Sequence, residues 1–407
     1  MELVALYKRV VGLDIHQAQI TACALIEEAD GTIRIEQRQF GAFKRDRRAL
    51  ADWVASLRPD EVVMESTGIY WKSPYAALEA VGIRAKVVNA RHVKNVPGRK
   101  TDVGDAQWLA TLARAGLLRG SFVPPAKLRQ LRLIARQRHK LVSQLAAEKN
   151  RLHKVLTDSG IRLGVVLSDL HGKSARAMIK AIIAGLEPQE VLALASRRLK
   201  ASREEIFDAL QGELSASHRF VLDELMQHIE ALEARIARFD ARLLSELESE
   251  RNTLALLQTL PGVDLIGAAL LLVEIGPDMQ AFGSADRLAS WVGICPGNNE
   301  SAGKRKSARV RKGNPYVRRL LCEFAHAASR TSSMYKSKFQ ALVVRRGYKR
   351  AILALGHKML RTLFFMLKRR EHYRDCAIDY EALSVQRNAP RWIKALTKFG
   401  FIAPVSA

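Results

Sequence analysis

Two acids, Asp102 and Asp105, stand three residues apart in the run Lys100-Thr101-Asp102-Val103-Gly104-Asp105-Ala106, where a helix is expected to begin. Residues three apart on a helix share a face, so both carboxylates would point the same way. Like charges held that close repel unless a cation lies between them. Taken alone, the pair has a simpler reading as helix-start acids, one capping and one facing the positive end of the helix dipole. Two further acids end β-branched runs: Asp14 in KRVVGLDI (Lys8–Ile15), and Glu65 directly after Glu61-Val62-Val63-Met64. Singly, each is an ordinary strand-end acid. Together, four carboxylates converging from three elements are poorly tolerated without cations and suit two metal ions about 3.5–4 Å apart. Hard oxygen ligands with waters left over favour Mg²⁺ or Mn²⁺ over Zn²⁺.

A fifth candidate is Ser301, in the small-residue loop Cys295–Lys304. The run Lys304–Lys312 follows, with six basic residues in nine: Lys304, Arg305, Lys306, Arg309, Arg311 and Lys312. Such a run suits a phosphodiester backbone. A hydroxyl beside it has the means to attack a phosphate whose charge those cations balance. Most serines in such loops merely cap or solvate, and chemistry alone does not set Ser301 far above Ser307.

The elements that must position these groups follow from periodicity. Lys8–Ile15, Ile20–Ile26 and Thr32–Phe40 read as three meandering strands, with Asp30-Gly31 as a hairpin turn. Lys44–Leu57 reads as a helix, Glu61–Met64 as a strand, Pro74–Val81 as a helix and Ile83–Val88 as a strand. That order is RNase H-like. It puts the first strand at the centre with the fourth beside it, so Asp14 and Glu65 face each other across adjacent strand ends.

After Pro124-Pro125 a long helix runs to about Leu156, with Leu128, Leu131, Ile134, Leu141, Leu145, Leu152 and Val155 on one side. Arg129, Arg132 and Arg136 belong to its basic remainder. With only Glu148 as a local acid, a phosphate-tracking surface competes there with a solvated face. Residues 160–200 read as a linker with one or two short helices. Leu222, Leu225, Ile229, Leu232, Ile236, Phe239 and Leu243 then step by three and four, a coiled-coil seam for the earlier helix, for another subunit, or for both. Leu260-Pro261-Gly262-Val263 between two apolar helices resembles a helix–hairpin–helix, in which Gly262 would lie against a DNA phosphate; an ordinary helical hairpin is the alternative. Pro315 to about Arg370 reads as helical and basic, and the last thirty-odd residues carry little pattern.

The composition limits the function. The chain has 407 residues, and 66 Lys+Arg against 41 Asp+Glu give a net charge of +25. A polyanionic partner is implied, with nucleic acid ahead of a membrane surface because no long apolar run occurs. Met1–Val11 lacks the apolar core of a signal peptide. Cys23, Cys295, Cys322 and Cys376 have neither metal-ligand spacing nor a disulfide framework, which fits a reduced cytosol.

Several separate motifs, in order, resemble the one-hundred-and-ten family of insertion-sequence transposases. They are GLDIH (Gly12–His16), ESTGIYW (Glu65–Trp71), KTDVGDA (Lys100–Ala106), LPGV (Leu260–Val263), Ala289–Ser307 and KGNPYVRRLL (Lys312–Leu321). The resemblance implies a RuvC-like domain over 1–122, a coiled-coil and helical region over 123–250, a helical transposase domain over 251–370, and a tail over 371–407. It implies that Asp14, Glu65, Asp102 and Asp105 hold Mg²⁺ (or Mn²⁺). It further implies that Ser301 forms a covalent phosphoserine link to DNA, and that a dimer or tetramer combines the two domains of different subunits. Donor and target DNA, a structured guide RNA and the prokaryotic cytosol or nucleoid complete the expectation. Three alternatives stay open: a DNA invertase of the same build, a RuvC-like junction nuclease that cuts with water, and a non-catalytic nucleic-acid-binding protein.

Overall fold

The computed structural model describes residues 5–65, 68–89, 93, 104–295, 299–301, 304–307, 310 and 312–402, with 299–301 and 304–307 as backbone alone. The chain divides into two compact units, Met1–Ala126 and Lys127–Ala407.

In the first unit, strands β1 (Arg9–Ile15), β2 (Gln19–Glu27) and β3 (Ile33–Gly41) form an antiparallel meander. Helix α1 (Lys44–Ser56), strand β4 (Glu61–Glu65), helix α2 (Lys72–Ala80), strand β5 (Lys86–Val88) and helix α3 (Asp105–Arg114) follow. The sheet order is β3-β2-β1-β4-β5, with β4 parallel to β1 and β5 parallel to β4. This is the strand order expected from the sequence.

Alternate residues point to opposite faces of a strand, and both faces here are covered. Val11, Leu13 and Ile15 pack with Leu50, Trp53 and Val54 of α1 and with Tyr75 and Leu78 of α2. Val10, Val63 and Val88 face the other way, onto Trp108, Leu109 and Leu112 of α3. Burial on both faces explains why β1 and β2 read as nearly continuous apolar runs.

The edge strand β3 differs. Its first three residues are exposed, and Arg34, Glu36 and Arg38 line one face in a row of ion pairs. Arg34 reaches Glu28 at 2.8 Å and Glu36 at 3.2 Å, and Arg38 reaches Glu36 at 2.8 Å.

Among its described residues the second unit is mainly helical, with one two-stranded hairpin. It comprises α4 (Ala126–Asp158), α5 (Leu163–Val166), α6 (Lys173–Ala184), α7 (Pro188–Ala193), α8 (Arg203–Ala209), α9 (Ala216–Glu246), α10 (Arg251–Gln258), α11 (Leu265–Ile275) and α12 (Ala285–Val292). Strands β6 (Asn299–Ser301) and β7 (Lys304–Ser307) come next, then α13 (Pro315–Ala328), α14 (Met334–Arg346), α15 (Tyr348–Arg369) and α16 (Tyr380–Lys398). None of the described helices is long and apolar enough to cross a membrane.

Helices α4 and α9 run antiparallel. Arg138 pairs with Asp240 near one end, Lys149 with Glu233 at 3.0 Å farther along, and Asp158 with His218 at 3.2 Å at the other. Leu141, Leu232 and Ile236 pack between them. The long coiled-coil seam expected from the sequence is not what the packing forms, however. Over its other half Leu222, Met226 and Ile229 join Leu152 and Leu156 in a cluster that also takes Met178, Ile179 and Ile182 of α6. Residues 160–200, expected as a linker with one or two short helices, supply three, α5, α6 and α7, and with α8 just beyond them they close this cluster.

The tail also differs from expectation, because α16 is a full helix. Asp379 caps it, accepting from the Glu381 and Ala382 N–H groups at 2.9 and 3.0 Å. Pro390 in its middle and the lack of any buried residue hide it from pattern reading.

Candidate active site

Three of the expected acids come from neighbouring places in the first unit. Gly12 pairs with Val63 and Leu13 with Met64 across β1 and β4, so Asp14 and Glu65 come next in register at the two carboxyl ends. By alternation they share the face of Gly12 and Val63, the one covered by α3.

Gly12 shows how closely that helix lies. A Cβ there would stand 2.2 Å from the Ala106 carbonyl oxygen and 2.6 Å from the Ala110 nitrogen. Only glycine admits this approach. It seats the first turn of α3, which opens with Asp105 after Gly104 as N-cap, against the strand that carries Asp14 one residue before its end. Asp14 is partly buried and accepts at 3.1 Å from His16 Nε2 in the tautomer that protonates that nitrogen. Asp102 lies outside the described residues, and among those described no three acids, histidines or cysteines gather closely enough to hold a metal ion. The donor set is nonetheless all carboxylate, and hard oxygen ligands fit a hard cation such as Mg²⁺.

The fifth candidate sits differently from expectation. Ser301 ends β6, and its backbone pairs with Lys304 of β7; Glu300 pairs with Arg305 and Asn299 with Ser307. A hairpin strand end, rather than a small-residue loop, carries the hydroxyl.

The base of the segment bearing this hairpin is tightly built. The Asn314 N–H donates to the Trp291 carbonyl at 3.2 Å. A Cβ on Gly313 would meet the Gly293 nitrogen and the Val292 carbonyl at 2.4 Å, so the two strands of backbone touch there. The Asn314 side chain caps α13, accepting from the Tyr316 and Val317 N–H groups at 3.0 and 3.2 Å. Its amide donates at 2.7 Å to Oε2 of Glu274 on α11, a side chain only 2% exposed.

Two arginines of α4 complete that network. Arg136 donates to both Glu274 oxygens at 2.9 and 3.0 Å and lies 4.6 Å over the Tyr316 ring. Arg132 approaches Glu274 Oε2 at 3.4 Å and donates to the Val273 and Glu274 carbonyls. Burial by itself would raise the Glu274 carboxyl, but the hydrogen bond from Arg136 and the charges of both arginines hold it below the usual range. Burial pushes Arg132 down to about 10, which leaves it charged at neutral pH.

Several expected nucleic-acid contacts therefore have other work. Arg132 and Arg136 serve the buried Glu274. The compensating acids that α4 lacks locally come from remote elements, as Glu274, Asp240 and Glu233. Gly262 has φ +85° and presses on α13, where a Cβ would lie 2.5 Å from the Phe324 carbonyl oxygen. That packing explains the glycine without a phosphate. At the start of α11, Asp264 takes the Gly267 N–H at 2.8 Å. Arg129 is partly exposed on α4 and Lys312 is exposed; Lys304, Arg305 and Lys306 lie on the hairpin, and Arg309 and Arg311 fall outside the described residues.

Pattern reading missed Glu274 and Asn314. Asn followed by Pro at a helix start is a readable cap signature, but nothing local announces its second bond to Glu274.

Comparison with known proteins agrees with these motifs. A family model described as a DEDD transposase of the IS110 type matches residues 11–160, and one described as the transposase IS116/IS110/IS902 family matches residues 254–340. Together they span more than half of the chain. The chain is 26% identical over 336 residues to a probable family 20 transposase of Pseudomonas aeruginosa, covering 81% of this chain and 90% of that one. It is 24% identical over 376 residues to the transposase for insertion sequence element IS1111A of Coxiella burnetii, covering 90% and 91%. A solved structure, Thermus thermophilus RuvC, matches 28% of this chain and 99% of its own at 13% identity and a TM-score of 0.22. With the acids on one unit and the serine hairpin on the other, each inside one of the matched regions, the chain belongs to the IS110 family of transposases, enzymes that cleave and rejoin DNA.

Proposed function

We propose that this transposase excises and inserts its own element through a serine–DNA intermediate. In this reading the first unit is a RuvC-like nuclease domain, and Asp14, Glu65, Asp102 and Asp105 hold Mg²⁺ (or Mn²⁺). The observation that carries it is the placement of three elements: β1 and β4 are paired and bear Asp14 and Glu65 at their carboxyl ends, on the face against which α3 begins with Asp105. A bound divalent cation would supply charge stabilisation at the scissile phosphate.

The chain's own chemistry is transesterification. The Ser301 hydroxyl loses its proton and attacks phosphorus; a Ser–O–P bond forms as one P–O bond to deoxyribose breaks, and the leaving hydroxyl takes up a proton. Attack by a second strand's hydroxyl reverses the exchange and frees Ser301. One ester replaces another throughout, so no nucleotide hydrolysis is needed. Lys304, Arg305, Lys306, Arg309, Arg311 and Lys312 grip the backbone. The protein works as a homo-oligomer on donor and target DNA in the prokaryotic cytosol. A structured RNA from the element supplies sequence choice, and a net charge of +25 suits a polyanionic load.

Ser301→Ala tests the assignment. Recombination and the covalent protein–DNA adduct should both disappear, measured by denaturing electrophoresis of labelled element-end DNA. An adduct that persists refutes Ser301 as nucleophile. Metal-dependent cleavage that survives without an adduct points to a water-driven nuclease.

A further inference from the structure

We propose that Glu274 and Asn314 are positioning residues for Ser301, holding the base of its hairpin segment in one orientation; this rests on the reading of Ser301 as the nucleophile. Asn314 joins three structures at once. Its backbone N–H closes the segment onto Trp291, its side-chain oxygen starts α13, and its side-chain nitrogen donates to Glu274 at 2.7 Å. Gly293 and Gly313 let the two ends of the segment touch, so whatever fixes Asn314 fixes both ends.

Glu274 is in turn fixed by Arg136 through two parallel bonds, a planar fork that sets direction as well as distance. A buried ion pair of this kind is weak ground for stability, because well-packed apolar residues of similar volume commonly do as well. A leucine in place of Glu274 and apolar residues in place of the arginines would fill the space without orienting anything. The network instead turns the rigidity of α4 and α11 into a defined attitude for the strand pair that ends in Ser301. Attack on phosphorus needs that alignment, since the serine oxygen must approach opposite the departing oxygen.

The test exchanges the two side-chain chemistries. N314D keeps an acceptor to cap α13 but sets a carboxylate against Glu274. E274Q keeps the shape but leaves two guanidinium groups without their carboxylate. In the E274Q/N314D double variant the amide donates to the carboxylate, and one negative charge again faces Arg136 and Arg132.

Full-length variants are assayed with element-end DNA and the element's transcript for adduct formation at saturating DNA, DNA affinity and thermal midpoint, with S301A alongside. Each single variant should form adduct about 10²-fold more slowly, the scale of a misplacement near 1 Å, with DNA affinity unchanged. The double variant should recover most of that loss. A wild-type rate for N314D overturns the proposal, as does a double variant whose losses simply multiply, or a rate that falls only in step with the folded fraction. An adduct in S301A refutes the nucleophile itself, and so marks failure of the underlying reading separately from failure of the positioning role.

Discussion

Replacing Gly12 with alanine probes the geometry of the carboxylate site without touching a carboxylate. The new methyl would stand 2.2 Å from the Ala106 carbonyl oxygen, 2.6 Å from the Ala110 nitrogen and 3.1 Å from Leu109 Cβ, against backbone that no rotamer change can move aside. Restoring a separation of even 3.0 Å requires α3 to withdraw by roughly 0.8 Å from β1, given the 2.2 Å contact. Overpacking of this kind costs about 1–3 kcal/mol. The larger effect should be catalytic, because Asp105 rides on the displaced turn while Asp14 stays with the strand. A misplacement near 1 Å is worth about 10²-fold in rate. The assay pairs urea unfolding with cleavage of element-end DNA at saturating Mg²⁺, so that lost stability and lost alignment are read separately. Wild-type cleavage and wild-type stability together would refute the close seating of α3 on Gly12 and the site built from it.

Three further outcomes follow from particular contacts. Asp105→Asn should abolish metal-dependent cleavage while leaving DNA binding, measured by gel shift, intact; loss of both would assign the residue to folding. Glu233 is hydrogen-bonded by Arg176 and Lys149, which lower its carboxyl from the ordinary 4.5 to about 2. Its contribution is therefore present above about 4.5 and lost as pH falls toward 2, so the stability gap between wild type and Glu233→Gln should close over that window in urea titrations. Leu152→Ala empties a fully buried position in the cluster of α4, α6 and α9 and should cost about 2–5 kcal/mol; a change under 1 kcal/mol in denaturant midpoints would mean that this cluster is not the core it resembles.

The sheet was legible because its strands carry their own signals. Val10–Leu13 and Val62–Met64 are β-branched and apolar runs, and a half-buried acid, Asp14 or Glu65, directly follows each. Once the strand order follows from the sequence of strands and helices, the neighbourhood of Asp14 and Glu65 follows with it. The helix of Asp105 was legible from the apolar periodicity after it, though it begins at Asp105 with Gly104 as its cap and not near Asp102.

What escaped depends on partners far away in the chain. Arg132 and Arg136 look like a phosphate-facing stripe, since their acid lies 138 residues on from Arg136, inside an apolar helix that shows one glutamate among leucines. Gly262 likewise looks like a DNA-contact glycine until Phe324 is seen against it. The β6–β7 hairpin was hidden by its composition, because glycine, asparagine and lysine carry little strand propensity.

The charged row on β3 bears on how the protein is made. No described strand pairs with the outer side of β3, so its backbone amides and carbonyls offer a template for a stranger's strand. The first unit emerges from the ribosome while the remaining residues are still being synthesised, and on a polysome the nearest stranger is another nascent copy of the same chain. Arg34, Glu36 and Arg38, already satisfied within the strand and by Glu28, would have to give up those ion pairs, and align like charges, to dock against themselves. A charged edge of this kind is expected to disfavour such pairing while the unit folds, and the Arg34, Glu36 and Arg38 triple alanine variant should be recognised first by its aggregation during translation, before any change in the purified enzyme.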